Sequence, residues 1–166
     1  MKKLNLLIGI LIGLTILSCS SDDNNDSNLD PLIGVWKPLK EVETYVDNST
    51  IKSDFSSCHQ MSRHTFNVDG TLDIVEFASD EINGNCEERT EPVLTSGSWA
   101  KNSSGEYRLI TIHTYTANQQ SYTDDDIPDV FVFENNNNTL KIGYADDEII
   151  NGNQLQNYYT EFIRVE

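Results

Sequence analysis

The sequence predicts an all-β domain between residues 32 and 166, and three observations support this fold class. Eight segments are rich in Val, Ile, Thr, Tyr and Phe, and clusters of Gly, Asn, Asp and Ser separate them. The shortest links are of hairpin length, which fits antiparallel strands, because parallel strands need long crossover connections. No segment shows the 3.6-residue apolar period of a helix over ten residues. About eight antiparallel strands close into an up-and-down barrel or, as the alternative, stack as a β-sandwich. The predicted strands are 35–46, 62–68, 71–78, 94–101, 107–116, 129–134, 139–145 and 158–165.

Turn residues and side-chain alternation justify the individual strands. Asp69-Gly70 lies between two apolar runs and predicts a tight hairpin. Four consecutive Asn residues, 135–138, predict a second hairpin, because Asn tolerates a left-handed backbone. Residues 139–145 alternate between apolar and polar or small side chains, which indicates one buried face and one solvated face.

The N-terminal segment has the features of a bacterial lipoprotein signal. Two lysines precede residues 4–17, which are almost wholly apolar but too few for a membrane-spanning helix. Residues 16–19, Ile-Leu-Ser-Cys, resemble the lipobox, in which the Cys thiol receives a diacylglycerol and the signal peptidase cuts just before it. The resemblance implies removal of residues 1–18 and a stable lipid anchor on Cys19. The alternative is an ordinary signal peptide with a chance Cys.

Composition limits the partners and the compartment. The chain has 27 acidic and 11 basic residues and a formal net charge of −16. This charge excludes non-specific nucleic-acid binding, which needs a basic face, and leaves the anchor as the contact with the membrane. Residues 19–31 predict a lipidated Cys followed by a disordered tether. The acidic run after Cys19 is similar to the signal that sends some lipoproteins to the cell surface, so we expect an outer-membrane lipoprotein that faces the surface or, as the alternative, the periplasm.

A resemblance to a known family rests on the start and the end of the domain. Gly34-Val35-Trp36 looks like the G-x-W signature that opens the first strand of lipocalin-type barrels, and Arg164 lies where the last strand supplies a basic residue. Residues 58–99 further resemble bacterial lipocalin-like lipoproteins, in which a Cys pair brackets an early hairpin. The resemblance implies that residues 32–166 form a lipocalin-like barrel closed at one end by the pair Trp36 and Arg164, whose guanidinium covers the indole. The alternative is that Trp36 is a core aromatic of another sandwich.

Two cysteines remain in the domain, Cys58 and Cys86, and we expect them to form a disulfide. An even pair in an oxidising compartment is typical of a structural bridge. A bridge of this loop length contributes about 3.5 kcal/mol in the chain-entropy model. The alternative is a zinc site with His59 and His64, although the spacing lacks short ligand pairs at both ends.

The sequence contains no motif that indicates an enzyme. It has no G-x-S-x-G elbow, no H-E-x-x-H and no Gly-rich phosphate loop. We therefore predict a non-catalytic protein without a cofactor or a resident metal. The nearest metal alternative is calcium on Asp124, Asp126 and Asp129, which do not match the EF-hand spacing and are typical of a solvated acidic loop.

These features favour a membrane-anchored binding module that captures a small, partly apolar ligand in the barrel mouth. Eight strands enclose just enough space for side chains or one small ligand. The alternative function is a cell-surface interaction or assembly subunit with a filled barrel and an unknown protein partner. An internal cavity above ~300 Å³ would favour the small ligand. The candidate lumen residues are Phe66, Trp99, Leu109, Phe131, Phe133, Ile142, Tyr144 and Phe162.

Overall fold

The computed structural model describes residues 29–80, 84–89, 93–115 and 117–165. The expected signal peptide, Cys19 and most of the tether lie outside this range. None of the described segments is a long apolar helix of the kind that crosses a bilayer. A short 3-10 helix covers His59–Met61. The strands are β1 (Gly34–Tyr45), β2 (Thr50–Asp54), β3 (Arg63–Phe66), β4 (Thr71–Val75), β5 (Phe77–Ser79), β6 (Cys86–Glu88), β7 (Val93–Lys101), β8 (Tyr107–Tyr115), β9 (Ser121–Asp126), β10 (Val130–Glu134), β11 (Thr139–Ala145), β12 (Ile149–Ile150) and β13 (Asn153–Arg164).

The predicted all-β, antiparallel fold class is confirmed. The main sheet has the order β10-β11-β13-β1-β3-β4-β7-β8-β9, β2 pairs with β1, and β12 pairs with β13. The separate hairpin of β5 and β6 follows β4. Most neighbours in the main sheet follow one another along the chain, as in an up-and-down barrel, and the last long strand lies beside the first.

The sheet is curled into a half-barrel whose two rims touch near one end. Among the described strands, no hydrogen-bonded ladder joins β9 to β10, the two ends of the path. The side chains of the rims nevertheless meet, because Tyr107 of β8 stacks on Phe131 of β10 with 4.1 Å between ring centroids. The strand order is that of a barrel, and the hydrogen bonding stops at this seam.

The hydrophobic core fills the concave side at the end that contains Trp36 and Arg164, which we call the base. Trp36 and Leu32 have no exposed surface. Aromatic rings from several strands pack around them, including Phe133, whose ring centroid is 6.2 Å from that of Trp36. Burial of this cluster is the main stabilising contribution that the sheet gains on curling. Its buried members are Leu32, Trp36, Phe66, Leu72, Tyr107, Leu109, Leu140 and Phe162.

Both expected hairpins form, and their turn residues have the expected backbone. Gly70 has φ +84°, and its N–H donates to the carbonyl of Asn67 at 3.1 Å. Asn135, Asn136 and Asn137 all have positive φ, between 53° and 62°. Residues that tolerate left-handed geometry, a glycine in one turn and asparagines in the other, therefore form the links β3–β4 and β10–β11.

Candidate binding surfaces of the half-barrel

Arg164 connects the last strand to the start of the domain at the base. In the ladder between β1 and β13 it lies directly opposite Trp36, and its Cζ is 4.2 Å from the centroid of the indole ring. The guanidinium also donates to three backbone carbonyls: that of Ile33 at 2.8 Å, that of Asn137 at 3.0 Å and that of Pro31. The Trp36 indole N–H donates to the carbonyl of Leu32 at 2.8 Å. The geometry expected of the closing pair is therefore present at the base.

A second polar cluster holds the first described residues against β7 and β8. The Tyr107 hydroxyl donates to Asp30 Oδ1 at 2.6 Å, and Lys101 Nζ lies 3.1 Å from Asp30 Oδ2 and 2.9 Å from the Tyr107 oxygen. Burial opposes ionisation of Asp30, but hydrogen bonds from Tyr107, from the Leu32 N–H and from Lys101 outweigh it and lower the pKa of the carboxyl. Asp30 is thus an anionic anchor point at the base.

The eight candidate lumen residues divide between core and concave surface. Seven of them belong to the core cluster or pack against it. They fill the base and pack against one another; for example, the ring centroids of Phe66 and Trp99 are 6.5 Å apart. The Trp99 indole N–H also donates to the carbonyl of Asn67 at 3.0 Å. Tyr144, the eighth, lies outside this cluster, with its ring centroid 6.2 Å from that of Tyr158. The residues in the core are Phe66, Trp99, Leu109, Phe131, Phe133, Ile142 and Phe162.

A cavity opens where the chain passes from β9 to β10. β9 pairs with β8, whereas β10 pairs with β11, so the strand changes partner over residues 127–129. Pro128 has no N–H to donate, which is consistent with the interruption of the ladder there. The cavity beside this link has a volume of about 390 Å³. Its lining is Pro31, Lys101, Gly105, Glu106, Tyr107, Ile127, Pro128, Asp129, Phe131 and Phe133.

Strand register determines which residues of β9 face inward, towards the concave side. Leu109 belongs to the core, and Asp126 lies opposite it in the ladder between β8 and β9. Asp126 therefore faces inward, as do Asp124 and Tyr122 at two-residue steps. Asp125 faces outward, where both of its carboxylate oxygens accept hydrogen bonds from Arg108 at 2.6 Å.

The strands on the other side of the seam present tyrosines and a further carboxylate. Phe162 sets the inward face of β13, so Thr160 and Tyr158 face inward as well. Tyr144 lies opposite Tyr158, and Glu41 lies opposite Thr160. Together with residues of β8 and β9 they form a surface further from the base, which we call the acidic cup. Its members are Glu41, His113, Tyr122, Asp124, Asp126, Tyr144 and Tyr158.

His113 is the centre of a small cluster in this cup. Its Nε2 lies 3.3 Å from Asp124 Oδ2, and its Nδ1 lies 3.2 Å from the Thr95 hydroxyl. The imidazole stacks on Tyr122, with ring centroids 4.6 Å apart and an angle of 12° between the planes. Tyr115 adds a third ring, 6.0 Å from that of Tyr122.

The tyrosine hydroxyls of the cup lie within the electrostatic field of its carboxylates. Partial burial, and then the charge of Asp126, raise the pKa of Tyr144 to about 12. Burial, and then the charges of Asp146 and Glu41, raise the pKa of Tyr158. Carboxylates from β1 and β9 therefore act on tyrosines of β11 and β13 from opposite sides of the seam.

His64 on β3 also faces inward, at the base. It lies opposite Trp36 in the ladder with β1, and its ring centroid is 5.0 Å from that of Phe162. Desolvation, with a smaller contribution from His59, lowers the pKa of His64 to about 4. The ring is neutral at physiological pH, and it has no hydrogen-bond partner among the described residues.

The predicted disulfide is confirmed, and it excludes the zinc alternative. Cys58 and Cys86 are bonded, with 5.4 Å between their Cα atoms, and the bridge joins the 3-10 helix to the β5–β6 hairpin. Bonded sulfurs cannot ligate zinc. In the part of the chain that the structure describes, no three His, Cys, Asp or Glu side chains are grouped to hold a metal ion.

The calcium alternative is not supported either. Asp129 uses Oδ2 to accept the Ala145 N–H at 2.8 Å, and Asp124 lies beside His113. Asp126 faces inward from the end of β9, whereas Asp129 lies beyond Pro128, where the strand changes partner. Among the described residues, these carboxylates do not form a group that could hold a metal ion.

Comparison with known proteins gives no relative. No protein-family model matches the chain, no curated protein matches it significantly, and no solved structure does so.

Most of the acidic cup was not expected from the sequence. Asp124 to Asp126 have the composition of a loop, yet they form β9. The available signal was the two-residue spacing of Tyr122, Asp124 and Asp126, which becomes informative once β9 is known to pair with β8.

Proposed function

We propose that the protein is a lipid-anchored, lipocalin-like binding module that takes a small, partly apolar ligand at the seam of its half-barrel. The observation that carries this proposal is the cavity of about 390 Å³ beside residues 127–129. Ligand pockets usually have volumes of ~300–1,000 Å³, so this cavity lies in the lower part of that range.

The lining of the cavity determines the chemistry of the ligand. The stacked rings of Tyr107 and Phe131, together with Phe133, supply an apolar wall. Lys101 and Glu106 place charged groups among the lining residues. A ligand with an apolar body and one polar end matches such a surface, because a few polar groups fix its orientation while the rings bury most of its area.

The tether brings this cavity close to the membrane. Pro31 lines the cavity, and Asp30 is bound to Lys101 and Tyr107 beside it. With a lipid on Cys19, residues 20–30 span at most ~35–40 Å. The domain would then collect its ligand within that distance of an outer-membrane surface.

A binding experiment tests the cavity. The full chain in phosphatidylcholine nanodiscs is titrated with N-phenyl-1-naphthylamine, a neutral dye that fluoresces in apolar sites, with empty nanodiscs as the blank. We expect saturable fluorescence with the wild-type chain and at least tenfold weaker binding after Ile127→Trp, which places a larger side chain in the lining. Ile149→Trp is the matched control, since Ile149 is also exposed but lies outside the cavity. No saturable signal, or equal loss in both variants, would refute the site.

A labelling experiment tests the anchor. Cells that express the full chain are grown with radioactive palmitate and then treated with proteinase K. We expect label on the wild-type chain, none on Cys19→Ala, and digestion in intact cells if the domain faces the surface. An unlabelled wild-type chain would remove the anchor from the proposal, and protection from the protease would place the domain on the periplasmic side.

The packed base favours one other function. Seven of the eight candidate lumen residues are occupied in the core, so the same fold also suits an interaction module with a filled interior. Absence of dye binding, together with retained folding, would leave this second function as the better one.

A further inference from the structure

We propose that the seam cavity takes an extended peptide segment, which adds a strand to the free edge of β10 and places one large apolar side chain in the cavity. Because it names the ligand of that cavity, this inference rests on the function proposed above. Three observations support it: an unpaired strand edge beside the cavity, the composition of that strand, and the charge of the cavity lining.

The edge of β10 that faces the seam has no partner among the described residues. In the main sheet β10 pairs with β11, on one side only. In an antiparallel ladder, alternate residues direct their N–H and C=O groups away from the partner strand. No hydrogen bond from another described residue reaches the backbone of residues 130–133 on this side. The strand therefore offers backbone donors and acceptors that an added strand can use.

The composition of β10 is unusual for a free edge. Its sequence, Val-Phe-Val-Phe-Glu, has no charged residue before Glu134, and Val132 is 43% exposed. Proteins usually protect a free edge with charged residues, bulges or Pro. β2 (Thr-Ile-Lys-Ser-Asp) and β9 (Ser-Tyr-Thr-Asp-Asp-Asp) also pair on one side only, and both carry such charges. Of these three edges, β10 alone has the composition of a strand that another strand covers.

The seam cavity lies along this edge. Phe131 and Phe133 of β10 line one side of it, and Glu106 and Tyr107, at the start of β8, line the other. The ring contact between Tyr107 and Phe131 is on the concave side, because both side chains pack in the core, so it does not take the place of a backbone partner. In strand addition, backbone hydrogen bonds supply affinity and such a pocket selects the side chain that enters it. A pocket of about 390 Å³ with a wall of aromatic rings selects a large apolar side chain.

The charges of the lining favour basic residues beside that apolar side chain. Lys101 is already paired, since its Nζ lies 3.1 Å from Asp30 Oδ2. Glu106 and Asp129 also line the cavity and have no ion pair with a described residue. The whole chain has a formal net charge of −16. A segment with Lys or Arg next to its apolar side chain is therefore complementary to the cavity.

The test uses four short peptides that separate these elements. The full chain in phosphatidylcholine nanodiscs is titrated with the parent peptide acetyl-Lys-Val-Phe-Val-Lys-amide, and binding is measured by calorimetry. A second peptide carries methyl groups on the backbone nitrogens of Val, Phe and Val, which removes hydrogen-bond donors and keeps the side chains. The third replaces Phe by Ala, and the fourth replaces both Lys by Glu. We expect the parent to bind and each altered peptide to bind at least tenfold more weakly.

Amide hydrogen exchange followed by NMR locates the added strand. The bound parent peptide should slow exchange at least tenfold at alternate residues of β10, those whose N–H faces the seam. β2 is the matched control, since it also pairs on one side only and should show no change. Ile127→Trp should abolish the protection of β10, whereas Ile149→Trp should not. Thermal melts monitored by circular dichroism confirm that each variant is folded.

The outcomes separate the peptide from the cavity itself. Binding of the parent that protects β10 and is lost in Ile127→Trp supports the proposal, whether or not N-phenyl-1-naphthylamine binds. Dye binding that is lost in Ile127→Trp, without peptide binding, would overturn the peptide and leave the function proposed above intact. Absence of both would overturn both proposals. Equal binding of the N-methylated peptide, or equal protection of β2 and β10, would show that no specific strand addition occurs at the seam.

Discussion

Replacement of Arg164 tests how the half-barrel is held together at the base. One guanidinium covers the indole of Trp36 and donates to carbonyls of Pro31, Ile33 and Asn137. It therefore connects the last strand, the start of β1 and the β10–β11 turn. Methionine at position 164 keeps much of the apolar stem of arginine and removes all of these polar contacts. Lysine keeps the positive charge but lacks the planar guanidinium that donates to several carbonyls at once.

The magnitude follows from the number of contacts. A hydrogen bond to a charged group contributes ~1.5–3 kcal/mol, and a cation over an indole adds ~0.5–2 kcal/mol. Arg164 is only partly buried, so water replaces some of what is lost. We therefore expect Arg164→Met to lower the free energy of unfolding by about 3–4 kcal/mol, and Arg164→Lys by about 2 kcal/mol.

Urea unfolding monitored by circular dichroism measures these differences. Arg108→Met is the matched control, because Arg108 makes a bidentate ion pair with Asp125 but its side chain is more than half exposed. Exposed pairs contribute ~0–1 kcal/mol, so the control should remain close to wild type. If Arg164→Met loses no more stability than Arg108→Met, the contacts at the base do not hold the sheet together.

Three further predictions concern the disulfide, His64 and a glycine. Replacing Cys58 and Cys86 together by Ser should lower the free energy of unfolding by ~2–4 kcal/mol, and equal melting of the wild type with and without a reductant would contradict this. Because the pKa of His64 is lowered to about 4, its neutral form stabilises the folded state fully above about pH 6.5. This contribution, about 2–3 kcal/mol, should be lost as the pH falls from 6.5 towards 4, and a His64→Gln variant with the same pH profile would refute it. Gly143→Ala should prevent or severely impair folding, because a Cβ there would collide with the carbonyl oxygen of Tyr158; a normal melting curve would show that the strands can separate.

Local sequence signals were sufficient for most of the fold. The expected strands 107–116 and 139–145 differ from β8 and β11 by at most one residue. In both segments the turn residues and the alternation of side chains agree with the final structure. β13 begins at Asn153, five residues before the expected strand, because the polar stretch there pairs with β1 and β12.

Two of the strands that were missed, β2 and β9, are mostly polar. β2 is exposed at every position, and β9 has the sequence Ser-Tyr-Thr-Asp-Asp-Asp. Their backbones pair with β1 and β8, so tertiary hydrogen bonding overrides a composition that is typical of loops. Local periodicity does not contain that information.

The candidate sites were predictable to different degrees. Trp36, Arg164, Cys58 and Cys86 stand out as residue types at recognisable positions. The acidic cup does not, because Glu41, for example, meets its neighbours only through the register of strands that are distant along the chain. The seam cavity depends on a change of strand partner, which no local pattern encodes.

The attachment at Asp30 and Pro31 determines how the domain responds to mechanical load. A force applied to the residues before Asp30 acts first on the bonds from Asp30 to Lys101 and Tyr107. It acts next on the hydrogen bond from Arg164 to the carbonyl of Pro31. The force is thus passed to β7, β8 and β13 together, instead of peeling β1 away one hydrogen bond at a time. A domain loaded through these residues would unfold only when several strands give way together.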